Sequence, residues 1–336
     1  MDRFQLSRRQ LLIAGGSGLV LPLIPSPAFA ATVPLSKAAA TFGAQVAAMG
    51  PAPKPLRLAA LSFQSAAFWD AIGEGITEAT SYLKPLNTTV DHISFGATLD
   101  VESVVAGLNA ALAKQYDGIA AVTVFDGTVS KVNEIIDAGV PLVAYVADSA
   151  QRSKRTCALG QVAINAGKAA GELIAKQLGG KGKIAVITGW FGAPQLDDRM
   201  KGAIDYLKTN APGITIFEPI ENKDDANTAY QQASDLITAH QDLNIIYITG
   251  GGPEGAAKAI RDAGLAGKVF VVGYDFLPDR QTYLDKGEML ALVSQEPQRQ
   301  SFDSLVMLHN ILAYKATYPT DVEIIAKMTL GKFAKS

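Results

Sequence analysis

Carboxylates, amides and aromatics recur in this sequence at one kind of place, directly after a short apolar run. Asp275 follows Val271-Val272-Gly273-Tyr274, and Gln295 follows Ala291-Leu292-Val293-Ser294. A carboxylate so placed accepts two hydroxyl hydrogen bonds in bidentate fashion. An amide both donates and accepts, which suits hydroxyl groups equally. Phe68-Trp69 open a helical pattern just beyond the run that ends at Ser62, where an aromatic platform can stack on the apolar face of a sugar or polyol. Each feature has a structural alternative. Asp275 could cap a helix starting near Pro278, Gln295 could tie two chain crossings together, and Phe68-Trp69 could pack a helix start. The acidic pairs Asp197-Asp198 and Asp224-Asp225 raise acid/base catalysis. Both pairs stand where a helix begins and an acid complements the dipole, so capping is expected of at least one member of each.

Other chemistries find little footing. Gly250-Gly251-Gly252-Pro253 precedes a helix but lacks a Walker lysine and a suitably spaced Rossmann acid. A close backbone approach to ligand or partner domain accounts for it better. No Gly-x-Ser-x-Gly elbow occurs. Cys157 is the only cysteine and His92, His240 and His309 the only histidines, so neither a disulfide scaffold, a metal nor a cofactor is expected. Thirty basic against thirty-two acidic residues leave no excess for gripping nucleic acid.

The elements that must hold these groups alternate strictly. Apolar strand-like runs cover 56–61, 89–94, 118–124 and 140–146, then 183–188, 214–220, 245–249, 269–274 and 289–295. Helical spacing fills the intervals, for example 68–83, 100–115, 163–178, 197–210, 226–240 and 298–315. Such alternation predicts an α/β fold with parallel sheets covered on both faces. At 336 residues, two doubly wound sheets of five or six strands fit better than one of about ten. The rhythm breaks in the polar stretch 147–160, suited to a crossing between domains. Ligands of such sheets lie beyond the strand carboxyl ends. The candidate contacts are therefore Ser62, Phe68, Trp69, Thr123 and Asp148 in one half, and Asp197, Asp224, Gly250, Asp275 and Gln295 in the other.

Residues 1–30 read as a cleaved export signal. Ser7-Arg8-Arg9-Gln10-Leu11-Leu12 resembles the twin-arginine signature, and Ala28-Phe29-Ala30 supplies a small-x-small cleavage pattern, placing the cut after Ala30. The apolar run between them is about 14 residues, short of the ~20 that span a bilayer. The Ala- and Pro-rich stretch 31–55 reads as a tether.

Taken together, Leu61-Ser62 with Phe68-Trp69, Gly139-Val140-Pro141-Leu142-Val143, Asp198-Arg199-Met200-Lys201-Gly202, Val272-Gly273-Tyr274-Asp275 and Ala291-Leu292-Val293-Ser294-Gln295 resemble the ribose/galactose-type periplasmic solute-binding proteins of ABC transporters. The resemblance implies two lobes joined by a three-crossing hinge, with crossings near 158–162, near Gln295 and near 319–322. The N-terminal lobe is then 56–160 plus 296–320, the C-terminal lobe 161–295 plus 321–336. It implies a monomeric periplasmic receptor without catalytic activity that holds a sugar or polyol and hands it to an ABC permease. The alternative is a sensor presenting its bound state to a membrane histidine kinase or chemoreceptor. Phe68, Trp69, Asp275 and Gln295 match typical ligand contacts. Elsewhere the chain departs from the pattern. Ala66 and Thr123 replace asparagines, and Val146-Ala147 replace polar residues, with Asp148 close by. Asp197 stands where an arginine often clamps the sugar, and Asp224 replaces a stacking aromatic. Polyols, unusual pentoses, amino-polyols and cationic solutes stay open as ligands.

Overall fold

The computed structural model describes residues 10–11, 32–64, 67–96, 100–277 and 280–335. The twin-arginine pair, the cleavage point, Ala66 and Pro278 lie outside them. Among the described residues the chain forms two bodies, one from 32–161 with 296–324, the other from 162–295 with 325–335 and Gln10–Leu11. Gln10–Leu11 (β1) pairs antiparallel with a late strand of the second body.

In the first body the order is α1 (Lys37–Thr41), β2 (Leu56–Ser62), α2 (Ala67–Leu83), β3 (Thr88–Ser94), α3 (Val101–Ala113), β4 (Gly118–Thr123), α4 (Val129–Asp137), β5 (Leu142–Asp148) and β6 (Cys157–Gly160). β4 is buried along its whole length and β2 nearly so, which is why both read as continuous apolar runs rather than alternating ones. The second body continues with α5 (Ala163–Leu178), β7 (Lys181–Thr188), α6 (Pro194–Asn210), β8 (Gly213–Ile216), β9 (Ile220–Glu221), α7 (Ala226–Ala239), β10 (Ile245–Ile248), α8 (Pro253–Asp262), β11 (Phe270–Tyr274), α9 (Gln281–Lys286) and β12 (Met289–Ser294). The chain then returns to the first body for α10 (Pro297–Tyr314) and β13 (Asp321–Glu323), and ends in the second with β14 (Lys327–Leu330).

The first sheet runs β13-β6-β5-β4-β2-β3, all parallel. The second runs β1-β14-β12-β11-β10-β7-β8, with β9 also on β7. It is parallel from β12 to β8 and antiparallel at β14. Two doubly wound parallel sheets are thus present, as the alternating pattern predicts.

Three local expectations change. The polar stretch 147–156 stays inside the first body, because β6 pairs with β5; the chain leaves that body only after Gln161. Residues 321–324 also belong to the first body, where β13 extends the sheet beside β6 and Ile324 donates its N–H to the Gly160 carbonyl at 2.7 Å. The proposed tether is packed structure. Ser36 caps α1, Ala39, Val46 and Ala48 are buried, and the Met49 N–H donates to Asn310 Oδ1 at 2.9 Å.

Asp303 of α10 holds this segment most firmly. Its Oδ1 accepts the N–H groups of Gln45 and Val46, both at 3.1 Å, and its Oδ2 accepts Arg299 Nε at 3.2 Å. Burial pushes its carboxyl up to about 6, against the downward pull of Arg299 and the two N–H groups. An unfolded aspartate titrates near 3.9. The folded state therefore binds this proton more tightly, and the stability it contributes is present below pH 4 and lost as pH rises through 6. Asp303→Asn is expected to remove that loss, up to about 3 kcal/mol at 1.36 kcal/mol per unit. Unfolding curves of both proteins between pH 4 and 7 check it: parallel pH profiles would contradict the assignment.

Candidate functional site

In the second body the polar groups at the strand ends form one connected chain. β11 ends at Tyr274, and Asp275 turns into the left-handed region at φ 63°. Its N–H continues the ladder to the Val293 carbonyl at 2.8 Å, and Arg280 Nη1 holds the carbonyls of Tyr274 and Asp275, both at 2.9 Å. The side chain is thereby aimed by backbone bonds on both sides. α9 begins at Gln281 with Arg280 in the capping position, so Asp275 is not its cap.

Asp275 Oδ1 accepts from Gln295 Nε2 at 2.8 Å. Gln295 is buried, and its Oε1 accepts from Arg199 Nη2 at 2.9 Å. Arginine only donates, so it fixes which end of the amide faces it and leaves Nε2 for Asp275. Arg199 Nη1 also donates to the Thr249 carbonyl at 2.9 Å, and the guanidinium lies 3.9 Å from the centroid of the Tyr274 ring. Tyr247 donates to the Arg199 carbonyl at 3.2 Å and accepts from the Tyr274 hydroxyl at 3.0 Å. This arginine is 2% exposed and its Nε has no partner among the described residues. Asp275 Oδ2 stays outside all of these bonds.

Asp224 lies on the same sheet edge. Lys223 and Asp224 are both left-handed, at φ 56° and 55°. Asp224 Oδ1 accepts the Gly251 N–H at 2.7 Å. A Cβ on Gly189 would stand 2.0 Å from that oxygen, and one on Gly250 2.3 Å. Glycine is therefore required at the ends of β7 and β10 because a carboxylate rests across both. Burial raises the Asp224 carboxyl above its ordinary range, Arg199 pulls it down and Asp275 pushes it up. Its neighbour Asp225 does the capping, with Oδ1 accepting the Thr228 N–H at 2.7 Å.

Asp197 behaves differently from expectation. α6 starts at Pro194, so Asp197 sits inside the first turn, where its Oδ2 accepts the Gly192 N–H at 2.9 Å and clamps the preceding loop. Burial raises its carboxyl. Two residues on, Arg199 is buried and bonded to Gln295 and the Thr249 carbonyl.

In the first body the candidates are more heavily committed. Thr123 donates to Asp148 Oδ1 at 2.8 Å, and Asp148 Oδ2 pairs with the buried Arg155. Arg155 also binds Asp321 and the Thr320 carbonyl. Thr123 and Asp148 thus anchor β13 to the sheet. The Ser62 hydroxyl is buried against His92 Nε2 at 2.8 Å. Phe68 and Trp69 are both half-buried and both pack on the core. Trp69 meets Phe63 edge-on at 5.3 Å between centroids, and Phe68 at 5.1 Å. Cys157 is buried with its thiol pushed up to about 12, which keeps it protonated and inert at neutral pH.

Arg199 escaped the residue-by-residue reading. Its one signal was its place in 198–202, the stretch that contributed to the family resemblance. Val146 also carries information only the structure holds. It is a β-branched residue at φ 69°, its N–H tied to Gln300 Oε1 at 2.8 Å, and such strain gathers at functional strand ends.

Two doubly wound parallel-sheet bodies, with polar clusters at their strand carboxyl ends, define a binding-protein fold. Residues 59–316 match the periplasmic binding protein domain family, and the chain belongs to it. Among curated relatives, the ribose import binding protein of Salmonella typhimurium is 26% identical over 165 residues, 48% of this chain and 55% of that protein. The ABC transporter periplasmic-binding protein YphF of Escherichia coli is 25% identical over 263 residues, 72% of this chain and 75% of that one. The chain spans about half the length of the ribose-binding relatives it matches. The solved structure of GanP, a glucose-galactose binding protein from Geobacillus stearothermophilus, superposes with a TM-score of 0.73 at 25% identity, covering 82% of this chain and 97% of that one.

Proposed function

We propose that the chain is an exported, periplasmic receptor for a sugar or polyol that delivers its ligand to the permease of an ABC importer, acting as a monomer and without catalysis. The observation that carries this reading is the relay Arg199–Gln295–Asp275. A buried cation fixes an amide, the amide fixes one carboxylate oxygen, and the second oxygen is left to accept ligand donors. Acceptor geometry set by the protein before binding is what a neutral, hydroxyl-rich ligand needs for charge-assisted hydrogen bonds. Asp224 and Gly250 at the neighbouring strand ends, and Ser62, Phe68 and Trp69 in the first body, are the further contacts we assign. Residues 1–30 are assigned to the cleaved signal. The two curated relatives are, by name, a ribose import binding protein and an ABC transporter periplasmic-binding protein, which favours delivery over sensing.

Calorimetric titration against ribose, allose, arabinose, galactose, glucose and the matching polyols tests the reading. Tight binding of one of them, with the ligand recovered chemically unchanged, is the expected result; no heat with any, or turnover of the ligand, refutes it. Within that titration Asp275→Asn is a sharp probe. Asparagine can still accept from Gln295, so the relay survives, but the ligand-facing oxygen becomes a donor and the charge is lost. The unpaired contact costs ~1–3 kcal/mol, about tenfold in affinity per 1.4 kcal/mol. Apo stability is expected to stay near wild type because Asp275 is not the cap of α9.

A further inference from the structure

Trp190 and Phe191 are 39% and 52% exposed, an unusual position for two large aromatics in sequence. They follow β7 directly and so stand at the carboxyl edge of the second sheet. The loop is fixed there: the Phe191 N–H donates to Glu221 Oε1 at 2.8 Å, and the Lys223 ammonium sits 5.8 Å from the Trp190 ring centroid. Trp190 is also joined to Gly189, the glycine against which the Asp224 carboxylate rests. The other aromatics that follow strands at this edge, Phe217 and Phe276, pack on the apolar core of the body. Phe333 is exposed as well, but it rests against Gly267 and Gly287, which precede β11 and β12 and lie on the opposite edge. Trp190 and Phe191 are thus the exposed aromatics of the ligand-side edge among the described residues.

We infer that Trp190 is a ligand-contacting, specificity-determining residue, stacking on the C–H face of a sugar ring while Asp224 and Asp275 take its hydroxyl edge; the inference rests on the sugar-receptor reading above. A sugar ring carries hydroxyls at its rim and an apolar face of C–H groups. A half-exposed indole on the strand-end edge that also carries two carboxylates supplies the complementary pattern, an apolar plane and acceptors on one edge. The Lys223 ammonium lies over one face of the same ring, 5.8 Å from its centroid, and adds a donor next to it. The ligand so defined has both a hydroxyl edge and a contiguous C–H face. Ring-form sugars have both; an open-chain polyol has no fixed face to stack.

The chain has two tryptophans, Trp69 and Trp190, which makes the test direct. Wild-type protein is titrated by calorimetry with ribose, allose, arabinose, galactose and glucose, and with ribitol and galactitol. The titration is then repeated on Trp190→Ala and Trp190→Phe. Expected are a Kd at least tenfold weaker for Trp190→Ala, a Kd within about threefold for Trp190→Phe, and a thermal midpoint unchanged in both. Wild type is also expected to prefer a ring sugar over its polyol. Wild-type emission is expected to shift to shorter wavelength at saturating sugar, and the shift is expected to be smaller in Trp190→Phe. If wild type binds none of the panel, the receptor reading fails and the stacking role falls with it. If wild type binds and Trp190→Ala binds equally well, the stacking role alone is overturned. That holds also where the variant fails only in docking to permease-containing vesicles, which would reassign the aromatic pair to the transporter.

Discussion

Arg199→Met is expected to weaken ligand binding at least a hundredfold and to lower the thermal midpoint at the same time. The guanidinium is buried and holds three things at once: Gln295 Oε1, the Thr249 carbonyl and the face of Tyr274. Methionine replaces much of the volume and none of the hydrogen bonds. Two buried acceptors lose a donor, at ~1–3 kcal/mol each, and the cation–π contact, worth up to about 2 kcal/mol when desolvated, is lost. Gln295 then loses its charged donor, although Gln195 Nε2 still donates to its Oε1 at 3.4 Å, and the amide holds Asp275 less firmly. Arg199→Lys is expected to rescue little, because one ammonium cannot span two acceptors and lie flat on a ring. Calorimetry on the folded variants decides the matter. A Kd within threefold of wild type for Arg199→Met would show that the relay does not orient the site.

Gly167→Ala is expected to destabilise the second body although alanine is the better helix former. A Cβ at Gly167 would stand 2.0 Å from the Arg199 carbonyl oxygen, and one at Gly202 2.2 Å from the Ile164 carbonyl oxygen. These obstacles are backbone, so α5 and α6 must part. Overpacking of this kind costs ~1–3 kcal/mol and here meets an unyielding neighbour, which outweighs the gain of ~1 kcal/mol in helix propensity. A drop of several degrees in the thermal midpoint is expected, with weaker ligand binding because the displaced helix carries Arg199. Gly73→Ala in α2 is the control, since nothing lies within 4 Å of its would-be Cβ. It should raise stability slightly. Equal shifts in the two variants would contradict the argument.

The sheets and the residues at their ends were legible because buried parallel strands leave an unambiguous trace. Runs such as 118–123 and 270–274 are apolar without alternation, and the polar residue that follows marks where the strand leaves the core. Asp275 and Gln295 were found that way; that they bond to each other was not foreseen. Arg199 was not found, since an arginine in mid-helix ordinarily reads as a solvated side chain. Its burial depends on Tyr274 and Gln295, which are distant in sequence. Asp148 stands at a strand end in the same way, and there Thr123 and Arg155 engage its oxygens, partners that the sequence does not reveal. The segment 32–49 has tether-like composition and no periodicity. Glu78 and Tyr82 of α2, and Asp303 and Asn310 near the other end of the chain, pull it into structure.

The interleaving of the two bodies along the chain sets the order in which they can be completed. Through residue 161 a growing chain holds β2 to β6 but not α10, whose Phe302, Leu305, Val306 and Leu308 belong to the same core. It also lacks β13, the strand that pairs with β6. Those parts arrive only after all of 162–295 has been made. Until then the faces of β4 and β5 that α10 covers are open, and the edge of β6 is unpaired, the state in which partly made domains aggregate. The body that starts first therefore finishes late, through contacts of long sequence separation that form slowly. A premature stop anywhere between 296 and 324 would, besides removing β14 from the second body, leave unfinished the half of the protein encoded at the beginning of the message.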